Sequence, residues 1–160
     1  MTYSSATYQS PVGELTLIAS DKGLRAVLWE NDDPRRVRSG ETVEDEANPH
    51  LQKAITQLTE YFAGKRKNFD LTLDFAGTDF QKQVWHALLE IPYGETRSYG
   101  DIARKLGNDK AVRAVGAANG KNPISIIAPY HRVIGANGKL TGFAGGLKTK
   151  GFLLDLEKAA

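Results

Sequence analysis

The sequence predicts an α+β fold in two parts. A small antiparallel sheet with one helix occupies residues 1–77, and a mainly helical part occupies residues 78–160. Three observations predict it. The first part alternates apolar and polar residues between turn signals, the period of a half-buried strand. The second part carries helix-start signals followed by apolar residues at helical spacing. The charge also divides: residues 1–77 hold 9 Lys and Arg against 12 Asp and Glu, residues 78–160 hold 12 against 7.

The first strand runs over Ala6–Ser10, and Pro11-Val12-Gly13 turns it back. Glu14–Ser20 follows, with Leu15, Leu17 and Ala19 on one face, and Asp21-Lys22-Gly23 leads into a strand over Leu24–Glu30. Asn31–Asn48 is charged, contains Pro34 and Gly40, and reads as a surface loop. A helix from Pro49 to Phe62 places Leu51, Ile55, Leu58 and Phe62 together; Gly64 stops it, and Phe69–Phe75 alternates as a strand. The boundary between the parts falls in Ala76–Asp79.

Thr78 and Gln81 have capping-box spacing and open a helix over Phe80–Ile91, with Phe80, Val84, Leu88 and Ile91 on one face. Pro92-Tyr93-Gly94 breaks it. Ser98 and Asp101 form a second capping box for a helix from Tyr99 to Leu106, Gly107 ends that helix, and Asn108 caps another over Asp109–Ala118. Two short helices across a glycine-containing turn fit a helix-turn-helix, and equally fit two helices packed in a core. A last helix is expected over Leu147–Glu157, with Phe152, Leu153, Leu154 and Leu156 available for packing.

One ordinary domain, or two small ones sharing a core, fits 160 residues of which 41 % are hydrophobic. There is no cysteine, which excludes a disulfide framework, a thiolate metal site and a thiol nucleophile. No apolar run approaches the roughly 20 residues of a membrane span. The segment MTYSSATYQS lacks the basic start and apolar core of a secretory signal, so the predicted compartment is cytoplasmic. Between Arg97 and Arg132 seven basic residues stand against two acidic ones, suiting either a polyanion partner or a solvated surface. The glycine-rich stretch Gly138–Gly146 suits close approach to a flat ligand or a plain flexible loop.

Several ordered motifs carry a family resemblance. They are Phe80-Gln81 with Val84-Trp85, Ile91-Pro92-Tyr93-Gly94, and the run from Ser98 to Ala103. Arg113–Pro123, Pro129–Gly135 and Gly142–Gly146 continue them, and Ser10–Leu17 with Tyr61–Gly64 fit less specifically. Together they resemble the O6-alkylguanine-DNA alkyltransferases (methylated-DNA–protein-cysteine methyltransferases). The resemblance implies a ribonuclease-H-like first domain and a winged helix-turn-helix-like second one. Members flip an alkylated guanine out of duplex DNA and move its alkyl group onto a cysteine; flipping costs a few kcal/mol.

Residue by residue, the resemblance makes Arg113 the finger that fills the vacated stack and Tyr99 the tyrosine that crowds the 3′ phosphate. Lys110, Ala114, Lys121 and Arg132 join the DNA-binding set. Asn122 supports the turn behind the nucleophile, and Glu157 and His131 form the relay that activates it. Val133, Phe143, Ala144, Gly145 and Gly146 line the alkylguanine pocket, with Ala144 where the family has a serine. No cofactor is implied, and no metal: some members hold zinc in the first half, where this chain has only His50.

One departure decides the expected function. The acceptor-cysteine position holds Tyr130. A phenol titrates near 10 against about 8.5 for a thiol, and is bulkier and a poorer nucleophile toward an alkyl carbon. The expectation is therefore a monomeric binder of O6-alkylguanine in double-stranded DNA that does not transfer the alkyl group, like the alkyltransferase-like proteins, which present lesions to nucleotide excision repair. One alternative is a repair methyltransferase whose cysteine has been replaced. A further alternative is a helix-turn-helix transcriptional regulator, although Ala111, Ala114, Gly116, Ala117 and Ala118 offer few base-reading groups.

Overall fold

A computed structural model describes residues 2–135 and 145–159. The fold is α+β: the described residues form a four-stranded sheet, five α-helices and a short two-stranded ladder. In the sheet β1 (Thr2–Ser10), β2 (Gly13–Ala19), β3 (Leu24–Leu28) and β4 (Glu41–Glu44) lie in the order β3-β2-β1-β4. The Pro11-Val12 turn sets the hairpin register from Ser10 opposite Gly13 to Ser4 opposite Ala19. Leu15, Leu17 and Ala19 are buried, as alternation predicts, and α1 (Pro49–Phe62) packs on this sheet.

The sequence reading differs from the structure at several elements. β1 begins at Thr2, and β4 falls inside the expected loop, because β4 pairs in parallel with Thr2–Ser5. Phe69–Phe75 is not a strand. It touches β3 at a single bridge, Leu24 with Leu73, while the Asp70 N–H is taken by the Gln57 side chain. The buried stripe of α1 is Leu51, Ala54, Leu58 and Tyr61, rotated from the expected one, so Ile55 and Phe62 lie at its margin.

Both capping boxes form. Thr78 and Gln81 start α2 (Asp79–Leu89), and Ser98 and Asp101 start α3 (Tyr99–Lys105). The next helix, α4, spans Val112–Gly120, later than expected. Its N-cap is Ala111 with no side-chain cap, because the Asn108 carboxamide instead accepts from Lys110 N in the preceding turn. The helix α5 runs over Leu147–Ala159. Trp85 Nε1 donates to Ala118 O at 2.8 Å, tying α2 to α4.

Two non-local joins position the site. The short parallel ladder of β5 (Arg97–Ser98) and β6 (Val133–Ile134) brings the start of α3 beside the segment ending at Arg132. The outer edge of β3 is completed by the second half: Val27 N–H donates to Pro123 O at 2.8 Å. Arg36, held by Asp32, also donates from Nη1 to Gly120 O and Asn122 O, at 3.2 and 2.8 Å. The first half thus forms a rigid backing for residues 120–124.

Candidate functional site

On this backing Asn122 shapes the next turn. Its side chain is fully buried, Nδ2 donates to Ala128 O at 2.8 Å, and Oδ1 accepts from Ile124 N at 3.0 Å. Inside the turn Ile126 has φ of 73°, the left-handed region that a β-branched residue rarely occupies. Such strain persists only where surrounding contacts over-determine it, and Ile126 is buried with Ile124, Ile127 and Ala128. The turn delivers Tyr130–Arg132 as one 3₁₀ turn.

Tyr130 is 6 % exposed, with its ring among core residues and its phenol hydrogen-bonded to Tyr99. Burial first, and then the neighbouring Tyr99, push the Tyr130 phenol far above the ordinary tyrosine range. Its nucleophilic phenolate is therefore inaccessible near neutral pH. Lys150, absent from the sequence-based site, is fully buried beside it. Its Nζ lies 5.6 Å from the Tyr130 ring centre and donates to Val133 O at 2.5 Å. Burial lowers this ammonium to about 8.

His131 and Glu157 meet in the core, Nε2 to Oε2 at 2.6 Å. Arg132 clamps the same carboxylate, Nε to Oε1 at 2.8 Å and Nη2 to Oε2 at 3.0 Å, while its Nη1 donates to Ile91 O. Tyr61 donates its hydroxyl to Oε2 at 2.6 Å, and Gly94 N–H reaches Oε1 at 3.4 Å. Burial alone would raise the Glu157 carboxyl, but the hydrogen bonds from His131, Arg132 and Tyr61 outweigh it and hold the group at about 2. Burial lowers His131 against the pull of Glu157. An ionised carboxylate only accepts, so a neutral His131 carries its proton on Nε2 and its lone pair on Nδ1. Nδ1 is buried and has no hydrogen-bond partner among the described residues.

The sign of the resulting pH dependence follows from the depressed carboxyl. Glu157 stabilises the fold fully above its unfolded value, and that contribution fades as pH falls toward 2. We expect a loss of about 2 kcal/mol by pH 3 from this group. Urea midpoints at pH 7, 5 and 3 measure it, and a midpoint unchanged down to pH 3 contradicts it.

Arg132, expected in the DNA-binding set, is 6 % exposed and committed to Glu157, because a buried carboxylate demands a paired cation. The other basic residues separate clearly. Arg97, Arg104 and Lys105 pair with Glu95, Asp101 and Glu90. Lys110, Arg113 and Lys121 make no ion pair among the described residues, and all three are exposed on or beside α4. Ala114 and Ala117 are exposed on the same helix, and half-buried Tyr99 packs near Gly116. Gly145 and Gly146 precede α5, Gly146 with φ of 91°; Phe143 and Ala144 lie outside the described residues.

Known proteins resemble the chain throughout. The family model described as "6-O-methylguanine DNA methyltransferase, DNA binding domain" matches residues 79–159, and that of the ribonuclease-like domain matches residues 4–75. The chain belongs to the 6-O-methylguanine DNA methyltransferase family. A methylated-DNA–protein-cysteine methyltransferase of Methanosarcina acetivorans is 53 % identical over 152 residues, covering 95 % of this chain and 96 % of the relative. A Mycobacterium bovis protein of the same name is 51 % identical, over 96 % and 91 %. Mycobacterium tuberculosis OGT, solved in complex with DNA, superposes with a TM-score of 0.88 at 49 % identity, covering 99 % of this chain and 94 % of that one. The O6-methylguanine-DNA methyltransferase of Pyrococcus kodakaraensis, 21 % identical with a TM-score of 0.56, shares the fold. The relatives' name specifies a cysteine acceptor, and this methyltransferase-family chain has no cysteine.

Within the described residues no helix is long and apolar enough to cross a membrane. Sequence reasoning missed two side chains in the methyltransferase-family site, Tyr61 and Lys150. Tyr61 stands in sequence outside the expected apolar stripe of α1 and only in the less specific motif Tyr61–Gly64, and Lys150 reads as a solvated helix cation. No local pattern marks either as buried against the site.

Proposed function

We propose that this chain binds O6-alkylguanine in duplex DNA and retains the lesion without accepting its alkyl group. The observation that carries the reading is Tyr130: a buried, strongly protonated phenol stands at the acceptor position while the His131–Glu157 pair behind it is intact. Transfer to a cysteine needs an attacking sulfur, and a neutral phenol offers no comparable nucleophile.

In this reading α4 faces the minor groove. Lys110, Arg113 and Lys121 supply uncommitted charge to phosphates, Ala114 and Ala117 permit close approach, and Arg113 fills the stack left by the flipped guanine. Tyr99 acts beside the rotated nucleotide. Val133, Gly145 and Gly146 bound the base pocket. The protein works as a cytoplasmic monomer and hands the bound lesion to excision repair. A second reading, a repair methyltransferase whose acceptor cysteine has been replaced, is favoured by relatives that match both halves. Both readings require the lesion pocket and the absence of transfer.

Fluorescence anisotropy on two duplexes, identical except for guanine or O6-methylguanine at one position, tests the proposal. We expect a preference of about tenfold or more for the modified duplex. Equal affinity would mean that Tyr130, fixed to Tyr99, closes the pocket, and the lesion-binding reading would fall.

A further inference from the structure

The carboxylate of Glu157 receives donors from two directions. Arg132, of the second half, spans both oxygens, Nε to Oε1 at 2.8 Å and Nη2 to Oε2 at 3.0 Å, and Gly94 reaches Oε1, while Oε2 also lies between His131 Nε2 and Tyr61 Oη at 2.6 Å each. Tyr61 belongs to α1, in the first half, and its side chain is fully buried. Its ring is fixed by Phe62, Phe69 and Tyr93, with centroids at 5.3, 5.4 and 6.2 Å. A phenol packed on three sides holds its hydroxyl in one place, and it is there that Oε2 meets it, beside the Arg132 fork. A packing role alone would be met by phenylalanine; the hydroxyl matters because it ends on the oxygen that also meets the imidazole.

We propose that Tyr61 is a positioning residue of the relay, by which the first half orients Oε2 toward His131 Nε2. It selects the imidazole tautomer whose lone pair is on Nδ1. The proposal rests on reading His131 and Glu157 as the relay. The hydroxyl also shares the negative charge of Oε2 and so moderates its pull on the imidazole. The groups facing this carboxylate and its imidazole are Tyr61 from α1, Tyr93 and Gly94 from the turn after α2, His131 and Arg132 from the 3₁₀ turn, and Lys150 from α5, whose charge acts on the imidazole. Tyr93 acts at longer range, with Arg132 above its ring at 5.6 Å.

The test uses the full-length chain with ¹⁵N-labelled histidine. Tyr61→Phe keeps the ring and removes the hydroxyl. The expected result is a clear displacement of the His131 Nε2–H resonance with little change in the melting midpoint. An unchanged resonance in the folded variant overturns the proposal. Tyr61→Leu removes the ring as well. If it displaces the resonance and Tyr61→Phe does not, ring packing is responsible and the proposal falls. In the Tyr130→Cys background, Tyr61→Phe should raise the acidic limb of the transfer rate by about half a pH unit, since a less shared carboxylate makes His131 more basic. A limb that stays in place counts against the proposal. Complete inertness of Tyr130→Cys would instead refute the relay reading, leaving the His131 resonance to decide the role of Tyr61.

Discussion

Tyr130→Cys is expected to yield a chain that takes up one alkyl group from O6-methylguanine in DNA. The backbone that would present the thiol does not depend on the phenol. It is set by Asn122 Nδ2 to Ala128 O, by Tyr130 N to Ala128 O at 2.8 Å, and by the 3₁₀ turn. Replacing a buried ring with a small thiol leaves room at the acceptor position for the alkyl carbon to approach the sulfur. Neutral His131, with its proton on Nε2, offers a lone pair at Nδ1 to accept the thiol proton, a form of assistance worth ~10²–10⁴-fold. The thiolate would attack the alkyl carbon, the bond from that carbon to O6 would break, and the released guanine would take up a proton. Intact-mass spectrometry after incubation with a lesion duplex reads the added alkyl group. Tyr130→Ser provides the oxygen-nucleophile control and should stay unmodified. If the cysteine variant also stays unmodified while folded and bound to the lesion, the relay does not activate the acceptor position.

Glu157→Ala is expected to cost about 3–5 kcal/mol of stability, the range for removing one partner of a buried ion pair. The substitution strands three groups at once: the Arg132 guanidinium, with its side chain 8 % exposed, the His131 Nε2–H and the Tyr61 hydroxyl. None of them can turn to water without opening the contact between α1, α5 and the 3₁₀ turn. Glu157→Gln should cost less, because one carbonyl oxygen still accepts. Urea denaturation at pH 7 measures both. A loss below about 1 kcal/mol for the alanine variant would show that water enters and satisfies the stranded groups.

How far the sequence reading reached depended on how local each feature was. The capping boxes of α2 and α3 rest on residues three apart and were legible from side-chain chemistry alone. β4 was not, since all four of its residues are exposed and its pairing with β1 is parallel and distant. The alternation in Phe69–Phe75 was real, but β3 accepts that segment at only one bridge. In the site, the pairing of His131 with Glu157 was legible through the resemblance, which implies it as a relay. The burial of Arg132 was hidden, because a cation next to a histidine looks the same in sequence whether it meets phosphate or a buried carboxylate. Tyr61 was hidden for the same reason: its partner belongs to the far end of the chain.

The hydrogen bond from Val27 to Pro123 has a consequence for how the protein is made. During synthesis residues 72–74 can meet β3 at Leu24, but the outer edge at Val27 stays open until the Pro123–Ile124 segment that covers it is translated much later. An unpaired strand edge is a template for pairing with other chains. Contacts so distant in sequence also close slowly. A nascent chain stalled before Pro123 would therefore carry an aggregation-prone edge, and chaperone dependence should end once residues 120–124 have cleared the ribosome and docked.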